Sequence, residues 1–408
     1  MTRASLAPLL SLLLLACGPP IYTCTDPLPR QVPDPSSPRL HQDGQRLVAP
    51  DGSEVHLDGV NLGGWLMWEA WIWGRTLQLT HLDRQSESHM LLRLTELYGA
   101  QAAATFQGRI DAELVTQADL AAIADLGMVA VRLPLNHTVV EDPARLVVVD
   151  RLLDAAEAEG LWVVLDLHAA PGGQANLFTA DPDPVLLWDD TDAQDQTVAD
   201  WRTLAARSAD HPAVAGYDLL NEPQPPDDAV YLDLLGRIIA AVREEDPDTL
   251  IIVEGTSYAR DFRPFTTRLD ENMAYEAHLY TALDGAALQR PDGFSELARC
   301  HDTPVWLGEY GEDQPDQVGD LRQAIAGANL AGAAFWPWKK VLDGRYPGLE
   351  EIQAPADWDP LMEDLTAKTG KAGHLDWTQA QAALDGFLAA AEPQALHLDA
   401  EMAAAIEP

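Results

Sequence analysis

The sequence predicts an α/β protein, a (β/α)8 TIM barrel with a short N-terminal β-hairpin and C-terminal helices. Two observations carry that prediction: eight short apolar runs recur along the chain, often ending in polar residues, and amphipathic stretches of helical length separate most of them. Strand alternating with helix implies a parallel sheet, and eight repeats suit closure into a barrel better than an open doubly wound sheet. The 408 residues suffice for one such domain with insertions.

The runs are Val60 to Trp65, Met128 to Leu135, Leu161 to His168, Val214 to Glu222, Leu250 to Glu254, Met273 to Tyr280, Val305 to Tyr310 and Ala331 to Trp338. Helical patterning falls on Glu113 to Leu126, Leu146 to Glu159, Thr197 to Ser208, Tyr231 to Glu245 and Gln317 to Ala328. The links from Ser257 to Met273 and from Thr281 to Pro291 lack it. Ahead of the first run, Arg46 to Leu57 reads as a hairpin around the Asp51-Gly52 turn. Beyond Trp338, Trp358 to Thr369 and Trp377 to Ala391 read as helices that complete the outer ring or form a cap.

The N-terminus has its own pattern. Arg3 precedes an apolar stretch from Leu6 that ends Leu15-Ala16-Cys17-Gly18, too short to span a bilayer and read as the apolar part of an export signal. Its Leu-Ala-Cys-Gly ending resembles a bacterial lipoprotein box, which implies an acylated Cys17; an ordinary secretory signal cleaved nearby is the alternative. Residues 1–16 are thus expected to be a signal peptide, 17–40 a Pro-rich tether, and 41–408 the barrel domain with its C-terminal helical segment. The resemblance implies an exported, membrane-anchored protein facing the periplasm or the cell surface. Cys24 and Cys300 could pair, but two cysteines make no pattern, and Cys300 reads more readily as a small buried hydrophobe.

Asp and Glu number 65 against 26 Lys and Arg, a formal net charge of -39. No basic stripe interrupts it, which excludes phosphate-dominated binding to nucleic acid. The acidity itself reads as solubility.

In a barrel of this kind the site forms where the strands end, so polar residues closing the apolar runs carry weight. Arg132 follows Val129-Ala130-Val131, and His168 closes Val163 to Leu167. Asn221 and Glu222 close the fourth run, His278 and Tyr280 the sixth, Glu309 and Tyr310 the seventh, Trp336 and Trp338 the eighth. Each alone has a structural explanation. Together, two carboxylates, two imidazoles, a guanidinium, an amide, a phenol and an indole on one rim fit cleavage of a glycosidic bond. The leaving alcohol needs a proton and the oxocarbenium-like transition state needs a carboxylate opposite it. Asp166 and Asp218 read as buried hydrogen-bond partners, and Trp68, Trp71, Trp73 and Trp188 as either outer sugar platforms or core.

The motifs Gly59-Val60-Asn61-Leu62-Gly63-Gly64-Trp65, Val131-Arg132-Leu133-Pro134, Leu165 to Gln174, Leu219-Leu220-Asn221-Glu222-Pro223, Trp306 to Gly311 and Phe335 to Lys339 together resemble glycoside hydrolase family 5. The resemblance covers nearly all of residues 44 to 340. It implies a retaining β-glycosidase with Glu222 as acid/base and Glu309 as nucleophile. It also implies Asn221 on the sugar 2-hydroxyl, Tyr280 and His278 orienting the nucleophile, Arg132 supporting its charge, His168 contacting substrate and Trp336 flooring the subsite of the cleaved sugar. The implied substrate is a β-linked polysaccharide or oligosaccharide, most simply a β-1,3- or β-1,4-glucan. A β-mannan, a glycolipid head group and a non-catalytic glycan-binding lipoprotein are the alternatives. No cofactor and no metal is implied, and a monomer is expected.

Overall fold

A computed structural model describes residues 27–30, 37–75, 81–184, 186–280, 292–311, 314–343 and 347–407. Cys17, Cys24 and the link from 281 to 291 lie outside the described residues. Eight parallel strands close into a barrel in chain order: β4 (Gly59–Asn61), β5 (Ala130–Asn136), β6 (Trp162–Ala169), β7 (Val214–Asp218), β8 (Leu250–Glu254), β9 (Met273–Leu279), β10 (Val305–Gly311) and β11 (Ala333–Trp336). The last returns to the first, with Phe335 opposite Val60.

Every residue of β5, β7, β8, β9 and β10 is buried, so the strands cannot be polar on one face for want of a covering layer. The period of two instead separates two apolar environments. Outward residues such as Val131, Leu133, Leu165, Leu167, Tyr275 and Ala277 pack with the helices in one large cluster. Inward residues Ala130, Val164, Leu250, Ile252, Ala274, Trp306 and Ala334 form a second cluster with Leu40, Leu47 and Leu57. Those three leucines come from or flank the antiparallel sheet β1 (His41–Asp43), β2 (Arg46–Val48) and β3 (Glu54–Val55), which plugs the N-terminal end of the barrel. The expected hairpin around Asp51-Gly52 is β2–β3. Leu40 is fully buried, and Arg39 donates to the His211 carbonyl at 2.6 Å, so the described end of the Pro-rich segment packs on the barrel.

Helices fill the outer ring, and aspartates cap several of their N-termini. Asp142 caps Pro143–Glu159, Asp190 caps Thr191–Ser208 and Asp227 caps Asp228–Glu245, each side chain accepting from the first turn. The helix expected from Glu113 to Leu126 is Gln117–Asp125, and Glu113 instead ends the preceding helix, Ala100–Glu113. Thr116 and Asp119 close a capping box there and restart the chain. The C-terminal region is not only helical: β12 (Lys339–Val341), β13 (Glu350–Ile352) and β14 (His397–Leu398) form a second small sheet beside Trp358–Leu365 and Trp377–Ala390. Cys300 is disulfide-bonded, which corrects its reading as a plain buried hydrophobe. Trp68, Trp73 and Trp358 pack on Phe106 and Phe387, and Trp188 meets Tyr231 edge-on, so these indoles are core.

Candidate active site

Above the apolar plug, the inward row of each strand turns polar: Asp166 and His168 on β6, Asp218 on β7, Glu254 on β8, Glu276 and His278 on β9. Arg132 of β5 lies at the centre and is fully buried. Its guanidinium is 3.0 Å from Asp166 and Glu276, 2.8 Å from Asp218, 3.1 Å from Glu254 and 2.7 Å from Glu309. Burial works against the arginine's charge, and the carboxylates of Asp166, Glu276, Asp218 and Glu309 more than reverse that. One cation cannot neutralise five carboxylates at such distances. Burial accordingly pushes Asp166 up to about 8 and raises Asp218, with Glu254 and Glu276 raised well above the carboxylate range. Arg132 Nε and Nη2 donate to Asp218 Oδ2, and Nη2 also to Glu254 Oε1, which holds the guanidinium on the barrel axis.

Glu309 reaches the axis through an irregularity in β10. The register against β9 shifts between Leu307, opposite Ala277, and Glu309, opposite His278. Regular alternation would send Glu309 outward with Leu307; the bulge re-aims it inward. Gly308 makes the bulge possible, because a Cβ there would lie 1.5 Å from the Glu276 carboxyl oxygen. Glu309 Oε1 then accepts from Arg132 Nη1 at 2.7 Å, and Oε2 from the Tyr280 hydroxyl at 2.5 Å.

Glu222 stands beyond the end of β7. Its φ is +45°, sparsely populated for a residue with a Cβ, and its N–H donates to Glu254 Oε2 at 2.6 Å, which holds the turn in place. Asn221 Oδ1 accepts from Arg132 Nη2 at 2.9 Å, while Gln174 Nε2 donates to the carbonyls of both Asn221 and His168 at 2.7 Å, tying two strand ends together. Burial raises the Glu222 carboxyl, with Arg260, His168 and Arg132 opposing it. Between the carboxylates stands His278, its Nδ1 3.0 Å from Glu222 Oε1 and 3.4 Å from Glu309 Oε2. Burial depresses that imidazole to about 3, so it is neutral at any ordinary pH. One oxygen of Glu222, one of Glu309 and a His278 ring nitrogen all lie within 4.8 Å of one another. The Glu222 side chain is 14% exposed and that of Glu309 6%, so both are reachable from the open end.

On the facing wall, His168 Nδ1 is 2.7 Å from Asp166, and its ring stacks on Trp336 at 5.4 Å and 9°. Burial brings His168 down to about 4. The indole is seated over Gly63, where a Cβ would come within 2.9 Å of the ring.

A sequence profile described as Cellulase (glycosyl hydrolase family 5) matches residues 98–340. The chain belongs to glycosyl hydrolase family 5. It is 30% identical to a β-xylosidase of Phanerodontia chrysosporium over 372 residues, 81% of this chain and 76% of that protein. It is 29% identical to the "Probable glucan 1,3-beta-glucosidase A" of Aspergillus fumigatus over 346 residues, 78% of this chain and 82% of that one. A crystal structure of a β-glucanase from Saccharophagus degradans shares the fold at 18% identity, with a TM-score of 0.53 over 90% of this chain and 99% of that one.

In this family 5 barrel the residues singled out from the sequence, Arg132, His168, Asn221, Glu222, His278, Tyr280, Glu309 and Trp336, are gathered at the C-terminal end of the strands. Four polar neighbours were not foreseen. Asn61 donates to the Gly308 carbonyl at 2.8 Å and lies 3.3 Å from Arg132 Nη1; Glu69 is buried 4.0 Å from His168 Nε2; Glu254 and Glu276 flank Arg132. Glu254 closes the fifth run and Glu276 shares a face with His278, so both carried the strand-end signal. Glu69 lies on an irregular segment after β4 and carried none.

Proposed function

We propose that this chain hydrolyses a β-linked glucan with retention of anomeric configuration, with Glu222 as acid/base and Glu309 as nucleophile. In the first step a Glu309 oxygen attacks the anomeric carbon, the bond to the leaving oxygen breaks, and Glu222 gives that oxygen its proton. Water then loses a proton to Glu222 as it attacks the same carbon, and Glu309 is released. The observation that carries this reading is the placement of one oxygen of each glutamate within 4.8 Å of the other. Oxygens this close fall on the retaining side, since carboxyl groups about 5 to 5.5 Å apart go with retention and roughly 6.5 to 9.5 Å with inversion, which must admit a water.

The neighbours suit the roles. Arg132 and Tyr280 fix both oxygens of Glu309. The burial that raises Glu222 stocks it with the proton that it must donate. Asn221 spends its oxygen on Arg132 and its Nδ2 donates to no described protein group, leaving it for a sugar hydroxyl. Trp336, stacked on His168, is the proposed floor for a pyranose. The name of the Aspergillus relative favours a β-1,3 linkage. Proton NMR of the first product released from laminari- and cello-oligosaccharides tests both points. The β anomer from the β-1,3 series is expected, and an initial α anomer would overturn the mechanism.

Export on an acylated Cys17 is part of the same proposal, supported by the pattern of residues 1–17. Labelling with a radioactive fatty acid should mark the full chain and not Cys17→Ala.

A further inference from the structure

Outside the barrel axis, the segment that leaves β5 and the helix that follows β6 bring together a nitrogen and carboxylate set that hydrolysis does not use. His137 and Glu141 lie on the short helix His137–Glu141, one turn apart and so on one face, with His137 Nδ1 2.9 Å from Glu141 Oε1. Asp200 faces them from Thr191–Ser208. One ligand atom from each of the three lies within 4.8 Å of the other two.

The second observation is Asp200 itself. The residue is 2% exposed; Oδ1 accepts from Gln196 Nε2 at 2.8 Å, while Oδ2 is buried with no hydrogen-bond partner among the described residues. An orphaned buried carboxylate oxygen is costly, and such atoms call for an unseen water, proton or ion. Burial pushes this carboxyl up to about 6, with Gln196 and His137 opposing and Glu141 adding to the rise. His137 is 26% exposed and Glu141 39%, so the pair is reachable from solvent while Asp200 is buried.

We propose that His137, Glu141 and Asp200 bind one divalent transition-metal ion of the zinc class, which clamps the segment after β5 to the helix after β6. One imidazole and two carboxylates match such an ion in charge and in donor type, whereas Ca2+ and Mg2+ prefer all-oxygen sets. Bonds of about 2.0 to 2.2 Å would put tetrahedral ligands roughly 3.4 Å apart, so an ion entering the set would part His137 Nδ1 and Glu141 Oε1, now 2.9 Å apart, by about half an ångström, with water at the open position. Linear spacing of Cys and His gave no sign of this site, because its buried ligand comes from a different helix.

Calorimetric titration of the chelator-treated full chain with ZnCl2 at pH 7.5 tests the proposal. Asp200→Asn keeps the shape and the Gln196 contact, and His137→Gln changes a half-exposed position. Each should weaken one saturable site at least tenfold while leaving glucan hydrolysis unchanged, and Zn2+ should raise the melting temperature of the wild type but of neither variant. Glu222→Gln, which alters one of the two other His and Glu clusters, both of which share His278, should leave that site intact. Absence of saturable binding, or Zn2+ binding that survives both Asp200→Asn and His137→Gln, overturns the proposal.

Discussion

Replacing Glu222 with Gln removes a proton and nothing else of consequence. The amide has the same shape, stays within reach of His278 Nδ1, now 3.0 Å from Glu222 Oε1, and leaves the backbone N–H on Glu254 Oε2 at 2.6 Å, so the positive-φ turn persists. What is lost is general acid and base catalysis, worth about 10²- to 10⁴-fold, or roughly 3 to 5.5 kcal/mol of barrier. The loss must fall where a proton is needed. On oligosaccharides, whose leaving group is a sugar alcohol, kcat/KM should drop by about that factor. A dinitrophenyl β-glucoside leaves without a proton, so Glu222→Gln should still form the glycosyl-enzyme and then stall, giving a burst of phenolate. Azide needs no base and should restart turnover, releasing β-glycosyl azide. In Glu309→Ala the missing nucleophile would instead let azide enter from the opposite face and yield the α azide. Equal losses on both substrates with no azide effect, in a variant that melts like the wild type, would refute the assignment of Glu222.

Tyr280→Phe removes the 2.5 Å bond to Glu309 Oε2 while Arg132 keeps Oε1. A hydrogen bond to a charged group is worth about 1.5 to 3 kcal/mol, so kcat/KM should fall about 10- to 150-fold without loss of fold, and unchanged steady-state kinetics would contradict the contact's role. Asp166, pushed up to about 8 in the folded protein, keeps a proton that the unfolded chain releases near pH 4, so it contributes stability below about pH 4 that is lost as pH rises toward 8. Chemical unfolding of Asp166→Asn should therefore show a shallower decline between pH 5 and pH 8 than the wild type, and parallel curves would exclude the raised carboxyl. Gly308→Ala puts a methyl group 1.5 Å from the Glu276 oxygen and should cost about 1 to 3 kcal/mol or more, with activity lost alongside. Adding Glu276→Ala should recover part of that cost, and strict additivity in the double-variant cycle would show that the two residues do not collide.

Much of this architecture is legible because a barrel writes a local signature. Each strand is short and buried, most end in polar residues at the rim, and a helix of matching period follows most of them. All eight runs read as strands are strands, with ends displaced by a few residues: Val214 to Glu222, for example, is strand only to Asp218. The Asn221-Glu222-Pro223 ending and the Trp306 to Gly311 run placed both glutamates on the rim. The segments misread were those whose pattern is not periodic. The helix expected from Glu113 starts only at Gln117, behind the capping box at Thr116, and the strands β12 to β14 are two or three residues long and are made by pairing rather than by propensity. The tryptophans after β4 offered the same residue type to core and to surface, and only packing against Phe106, Trp358 and Phe387 makes Trp68 and Trp73 core.

Sequence alone determined the barrel, its polar rim and the two glutamates on it, because burial and period act between near neighbours along the chain. Tertiary structure decided which way those glutamates point and what surrounds them. By alternation Glu309 belongs on the outer face with Leu307, and it turns inward because the ladder between β9 and β10 slips at Gly308, where the Glu276 carboxyl from the adjacent strand occupies the space of a Cβ. Likewise, no pattern within one strand reports that carboxyls from five different strands share the single guanidinium of Arg132. That crowding, a consequence of closing the sheet on itself, sets which of them hold protons and leaves Glu222 and Glu309 within 4.8 Å of each other.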